Sequence, residues 1–169
     1  GEEWAASTPF QYFTDHEEEL GRLVSEGRTK EFAAFGWDPK EIPDPQAAAT
    51  FERSKLNWEE RSQPPHAEML NWYRELIALR KRLPELTDGD LSRVRVCSSE
   101  QQGWLVMERG RCTVALSIAT RGVTLAVRGG SRILLTSTSE AALDEDELKL
   151  PPDSVAVLLC GDKPAGVVQ

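Results

Sequence analysis

Glu2 and Glu3 are the first residues whose types could do chemistry, because paired carboxylates cleave glycosidic bonds. The geometry argues against them as a pair. Retaining enzymes hold the two carboxyls about 5 Å apart on opposite sides of one bond, whereas adjacent residues of an extended chain point to opposite faces. No other pair stands out from the ordinary surface acids. His16 and His66 are fifty residues apart and each lacks a companion, so a Ser-His-Asp site or a histidine metal site is poorly supported. Cys97, Cys112 and Cys160 fit no zinc or CxxC spacing and sit inside apolar alternating runs, which predicts buried free thiols in a reducing cytoplasm. No GxSxG, P-loop or GxGxxG run is present. We therefore expect no catalytic residue, metal site or cofactor site within this chain.

Pro9-Phe10-Gln11-Tyr12-Phe13 is different in kind. Three aromatics in four residues, beside a proline and outside any helical or strand period, are unusual in a loop. Rigid ring faces are what sugar rings stack on. The competing expectation is that the rings plug a core beneath the loop, and it is stronger for Phe13 than for Phe10 or Tyr12.

The elements that must position this loop fall into two halves. Eleven of the twelve aromatics lie between Trp4 and Tyr73, leaving only Trp104 beyond. Thr14-Asp15-His16-Glu17 reads as a capping box, opening a helix that runs to about Glu26 and stops at Gly27. A second short helix, residues 28–35, would end at Gly36. Residues 37–65 hold five prolines and no sustained period, with at most a helical turn near residues 47–53. The best helix spans residues 67–83, bracketed by Pro65 and Pro84, with Met69, Tyr73, Leu76 and Leu83 on one stripe. Arg80 falls within that stripe, where it either snorkels to water or needs a buried partner. From Val94 onward the period becomes two. Val94/Val96, Trp104/Val106, Cys112 to Ile118, Val123 to Val127, Ile133/Leu135 and Val155 to Leu159 each alternate, separated by glycine and proline turns. Gly129-Gly130 reads as a hairpin turn, and the acidic stretch 140–147 as a solvated loop. The expected fold class is α+β, with helical last elements of a larger α/β domain feeding an antiparallel β-sandwich. The domain boundary is placed at residues 86/87.

Composition bounds the partners. Hydrophobic residues make up 40% of 169, enough for a real core. With 20 basic and 28 acidic residues the net charge is −8. That sign repels phosphate backbones and anionic lipid, so neither nucleic acid nor membrane is expected as a partner. Neutral ligands such as sugars remain compatible.

Gly1-Glu2-Glu3-Trp4 followed by the run Ser7 to His16 resembles the stretch after the eighth barrel strand of malto-oligosyltrehalose trehalohydrolases, which are α-amylase-type glycoside hydrolases. The resemblance continues through Glu31 to Trp37, Pro43-Asp44-Pro45-Gln46 and Phe51 to Trp58, and then through Trp72 to Arg80, which looks like the eighth barrel helix. The second half resembles the family's C-terminal domain more loosely, best at Leu150 to Leu159. One departure is Ala5, where the family often has a glycine that permits positive φ.

The resemblance implies a (β/α)8 barrel ending near residue 86 and a β-sandwich behind it. It also implies retaining hydrolysis of the α-1,4 bond beside a terminal trehalose unit, with malto-oligosyltrehalose as substrate and the rest of the barrel as partner. The family's catalytic acids lie on earlier strands and match no position here. What this chain would supply is cleft wall at the C-terminal face of the barrel, with Trp4, Phe10, Gln11 and Tyr12 as candidates. The alternative is a stand-alone structural or carbohydrate-binding β-module. A binding module predicts an aromatic platform on the sandwich, where Trp104 is the one aromatic.

Overall fold

A computed structural model describes residues 1–161. The chain forms two compact units, residues 1–71 and the residues from 72 onward.

The first unit opens on a 3-10 turn, Glu2–Trp4, rather than extended chain, and Ala5 follows at φ 52° and ψ 53°. Ala5 thus adopts the left-handed conformation that glycine takes without a Cβ penalty. Helix α1 spans Glu18–Ala34 without a break. Neither Gly21 nor Gly27 stops it: each glycine costs a helix about 1 kcal/mol relative to alanine, which a helix of seventeen residues tolerates. The end falls where expected, with Gly36 at φ 84°. The capping box does not form. Thr14 Oγ1 donates instead to Gln46 Oε1 at 2.5 Å, Gln46 Nε2 donates to the His16 carbonyl, and Glu17 caps α1 without a side-chain hydrogen bond. A long-range partner has out-competed the local one.

Residues 37–65 carry helix α2 (Ala48–Arg53) and a 3-10 turn at Trp58–Ser62, with Asn57 Oδ1 accepting from Glu59 N at its start. Thr50 is fully buried and donates to the Asp44 carbonyl at 2.6 Å, pinning the proline-rich excursion to α2. Hydrophobic burial is sparse in this unit. The buried residues among 1–71 are Trp4, Gly21, Pro45, Thr50 and Glu60.

Helix α3 (His66–Arg82) runs through the boundary between the units, and the Pro84–Leu86 turn ends its course. Leu79 of α3 and Leu83 just beyond its end are buried, packed with Cys112 and Val157. Arg80 is exposed in the last turn, where a cation also suits the helix C-terminus, so the solvated alternative is the one observed.

The strands are β1 (Val94–Ser99), β2 (Trp104–Arg109), β3 (Cys112–Ser117), β4 (Val123–Ala126), β5 (Ser131–Thr136), β6 (Ala142–Asp144), β7 (Glu147–Leu150) and β8 (Ser154–Cys160). They form two antiparallel sheets, ordered β1-β2-β3-β8-β5 and β4-β7-β6. The sandwich interior holds Ala115, Leu125, Leu148, Leu150, Ala156 and Leu158.

Alternation on β3 and β8 was legible, but the stripe it suggests lies on the opposite side. Cys112, Val114, Val157 and Leu159 gather with Leu79 of α3 and the adjoining Leu83, while Ala115, Ala156 and Leu158 fill the interior. β8 is central and covered on both faces, which is why residues 155–159 read as continuous apolar sequence. A register shift between Ile133 and Leu135 sends Ile133 to the interior and Leu135 to the helix side.

Three expectations change here. Gly129-Gly130 joins β4 to β5, which belong to different sheets, so it is a crossing rather than a hairpin. The acidic stretch is not all loop: β6 pairs β7 around Glu145 and Asp146, with Leu148 fully buried. Cys97 is exposed on edge strand β1, where residues 95–98 are all exposed, while Cys112 and Cys160 are buried free thiols. Burial pushes the Cys112 thiol up to about 11, with Glu85 adding to the effect. Among the described residues no helix is long and apolar enough to cross a membrane.

Candidate functional site

The aromatic loop is anchored through its backbone. Gln11 N donates to Ser54 Oγ at 3.1 Å, and Ser54 Oγ is itself held by the Thr50 carbonyl of α2. Alternating residues of the loop therefore reach different neighbours. Phe13 turns onto Phe51, edge to face at 5.1 Å between ring centroids, as a partial core plug. Phe10 stays 84% exposed, 6.3 Å from Phe13.

Phe10, Gln11 and Tyr12 line one recess of about 370 Å³, together with Pro9, Arg28, Phe32, Trp37, Glu41, Ile42 and Pro43. That size lies within the range of small-ligand sites. Arg28 projects from α1 between two of the rings, its guanidinium carbon 4.8 Å from the Tyr12 centroid and 4.6 Å from that of Phe32. Phe32 and Trp37 meet edge to face at 5.4 Å. The recess is thus a mostly apolar bowl of aromatic faces with an amide, a guanidinium and a carboxylate at its edge. One cation, Arg28, and one anion, Glu41, line it, so its lining carries no net charge, which suits a neutral ligand. Gln11 Oε1 accepts from Arg53 Nε at 3.3 Å, so the amide is partly engaged before any ligand arrives.

Trp4 departs from the expectation. It is 5% exposed, so its ring faces are spent on packing, and it does not line the recess of Phe10 and Tyr12. Its indole N–H donates to Glu60 Oε1 at 3.1 Å, Ser7 N donates to the same oxygen at 3.0 Å, and Ser7 Oγ donates to Oε2 at 2.8 Å. The Ser7 hydroxyl, the Ser7 amide, the Trp4 indole and the His66 charge hold the Glu60 carboxyl below its ordinary range, against the desolvation that raises it. His66 Nδ1 lies 2.9 Å from the Trp4 carbonyl and Nε2 lies 3.9 Å from Glu60 Oε2.

Serine, glutamate and histidine therefore meet, but in the wrong order for nucleophilic catalysis. The serine proton goes to the carboxylate rather than to an imidazole. The cluster is a structural node. Sequence reasoning missed it because its two halves, Trp4 with Ser7 and Glu60 with His66, lie 53 to 62 residues apart. It equally missed Arg28 and Glu41, since no local period ties them to Tyr12. Among the described residues no group of three potential ligands is placed to hold a metal ion.

Comparison with known proteins follows the same division. A family model described as a domain of unknown function (DUF3459) matches residues 89–157, essentially the sandwich. A Salmonella typhimurium structure provisionally named an alpha amylase superposes with a TM-score of 0.75 at 33% identity, over 94% of this chain and 27% of its own. A pullulanase from Anoxybacillus, complexed with maltotetraose, shares the fold at a TM-score of 0.52 and 14% identity, over 65% of this chain and 17% of its own. The class is thereby defined: the chain corresponds to a stretch of an α-amylase-family protein, within which residues 89–157 match the DUF3459 domain.

Within that class the similarity is to malto-oligosyltrehalose trehalohydrolases. The chain is 44% identical to the enzyme of Rhizobium sp. (strain M-11) and 40% identical to that of Mycobacterium tuberculosis, over 94% of its length in both cases. It spans about a quarter of the length of these relatives (26% and 27%).

Proposed function

We propose that the chain is the C-terminal part of an enzyme that hydrolyses the α-1,4-glucosidic bond beside the terminal trehalose unit of malto-oligosyltrehalose, releasing trehalose. The observation that carries this reading is the 44% identity to a trehalohydrolase across nearly the whole chain. In this reading residues 1–86 are the end of the catalytic barrel and residues 87–169 are a stabilising sandwich. The sparse core of residues 1–71 supports it. Phe35 and Trp58 are 76 and 57% exposed, apolar area that other elements of a barrel would cover. The free thiols fit a cytoplasmic enzyme.

The recess is this chain's share of the cleft. Phe10 and Tyr12 offer ring faces to the sugar, Arg28 fixes the Tyr12 plane, and the Gln11 amide nitrogen can donate to a hydroxyl. Trehalose is bent and neutral, so selecting it over maltose calls for shaped apolar walls with a few hydrogen bonds rather than a charge. Bond cleavage falls to carboxylates outside this chain, and removing such groups costs orders of magnitude in rate.

Trehalose release from malto-oligosyltrehalose is the test. The enzyme containing this stretch should release trehalose, and the purified 169-residue chain should not. Robust turnover by the chain alone, or an intact enzyme that cuts maltodextrin and frees no trehalose, overturns the proposal.

A further inference from the structure

We propose a second glucan-binding groove on the β-sandwich, centred on Trp104. A cavity of about 570 Å³ lies at one end of the sandwich, between the β1–β2 turn and the β3–β4 connection. Its shape is built into the backbone. Gly103, at φ 68°, accepts a hydrogen bond from Ile118 N at 2.8 Å, and a Cβ on Gly103 would sit 3.0 Å from the Ala119 Cα. Only glycine lets these two segments approach so closely.

Trp104, the single aromatic after Tyr73, lines this cavity and packs against the interior cluster. Its indole N–H donates to Gln102 Oε1 at 2.7 Å, which fixes the ring plane before a ligand binds. Ile118, 67% exposed, adds apolar area beside it.

The polar lining points to the ligand class. Glu100 and Arg121 offset one another, leaving amides and hydroxyls such as Gln102 and Thr120 as the remaining recognition groups. A phosphorylated or carboxylated ligand would need an excess of cations. An indole edge, an aliphatic side chain and neutral donors and acceptors suit a neutral polyhydroxylated chain. The choice of an α-glucan over other polyols rests on the function proposed above. The groove would then bind an α-glucan independently of the recess at Tyr12.

The test is a titration of the chain with maltoheptaose, followed by the indole N–H resonances of its five tryptophans. The Trp104 resonance should move and saturate. The double variant Gln102→Ala/Thr120→Ala should weaken that response about three- to tenfold, the loss expected for one or two neutral hydrogen bonds, with the amide spectrum of the sheet retained. Phe10→Ala should leave it unchanged. A Trp104 resonance that stays still, or that responds equally in the double variant, overturns the groove. Movement at Trp37 without Trp104 overturns the groove while upholding the recess, and the reverse result upholds the groove and counts against the recess. The response of the unsubstituted chain decides the matter even if the double variant fails to fold.

Discussion

From residue 72 onward the chain buries Leu148 and Leu158 completely, whereas residues 1–71 leave Phe10, Phe35 and Trp37 at 84, 76 and 55% exposure. Both stretches contain ample apolar sequence, so composition alone does not explain the contrast. In the second unit two sheets and α3 cover β3 and β8 from both sides. In the first, a buried tryptophan, a buried threonine and a hydrogen-bonded glutamate do most of the holding, while the rings face outward. One unit is organised around apolar burial and the other around polar pins, and the outward rings of the second kind are free to meet a ligand or a covering surface.

The largest effect should come from deleting interior volume. Leu158→Ala should cost about 2–5 kcal/mol, read as an earlier denaturant midpoint for loss of sheet signal. Leu23→Ala, at a half-exposed position of α1, should change stability by less than about 1 kcal/mol. Equal losses would mean that the first unit has an apolar core after all.

What the sequence showed tracks this same contrast. The strands and α3 were legible because period two and bracketing prolines are local signals. β7 escaped notice because acidic residues around Leu148 and Leu150 read as a loop, although Leu148, Lys149 and Leu150 do alternate in burial. In the first unit the decisive contacts are distant. Gln46 takes Thr14 away from its capping box, and Glu60 gathers Trp4, Ser7 and His66. Phe10, Gln11 and Tyr12 were found as a cluster because they are adjacent. Arg28, Phe32 and Trp37 complete the recess only through folding.

A second break concerns the polar pin. Glu60 has its folded pKa below the ordinary carboxylate range. Its contribution is therefore present above the unfolded glutamate pKa and is lost as pH falls through the folded value. Glu85, held down first by its hydrogen bond from Arg111, behaves with the same sign in the second unit. Glu60→Gln should weaken the first unit at neutral pH and remove part of its acid sensitivity, read by Trp4 and Trp58 fluorescence, while the sheet signal keeps its own pH dependence. An unchanged acid transition in that fluorescence would remove Glu60 from its place as the pin.

A smaller effect belongs to Arg28. Replacing it with alanine removes two cation–π contacts, each worth about 0.5–1 kcal/mol at an exposed site. The unit should stay folded while Tyr12 and Phe32 ring resonances broaden or shift. Arg28→Lys should restore the charge but not the planar stacking. Ring resonances indifferent to both changes would show that Arg28 does not set the Tyr12 plane.

The central claim is that Phe10 and Tyr12 face sugar rather than core, and the most direct measurement is kcat/KM of the intact enzyme carrying Phe10→Ala or Tyr12→Ala. By analogy with base–aromatic stacking, loss of one ring should cost about 1–3 kcal/mol of substrate or transition-state binding. The decrease should be larger for malto-oligosyltrehalose than for plain maltodextrin, with the melting temperature preserved. Equal losses on both substrates together with a lowered melting temperature would contradict the account and make these rings core plugs.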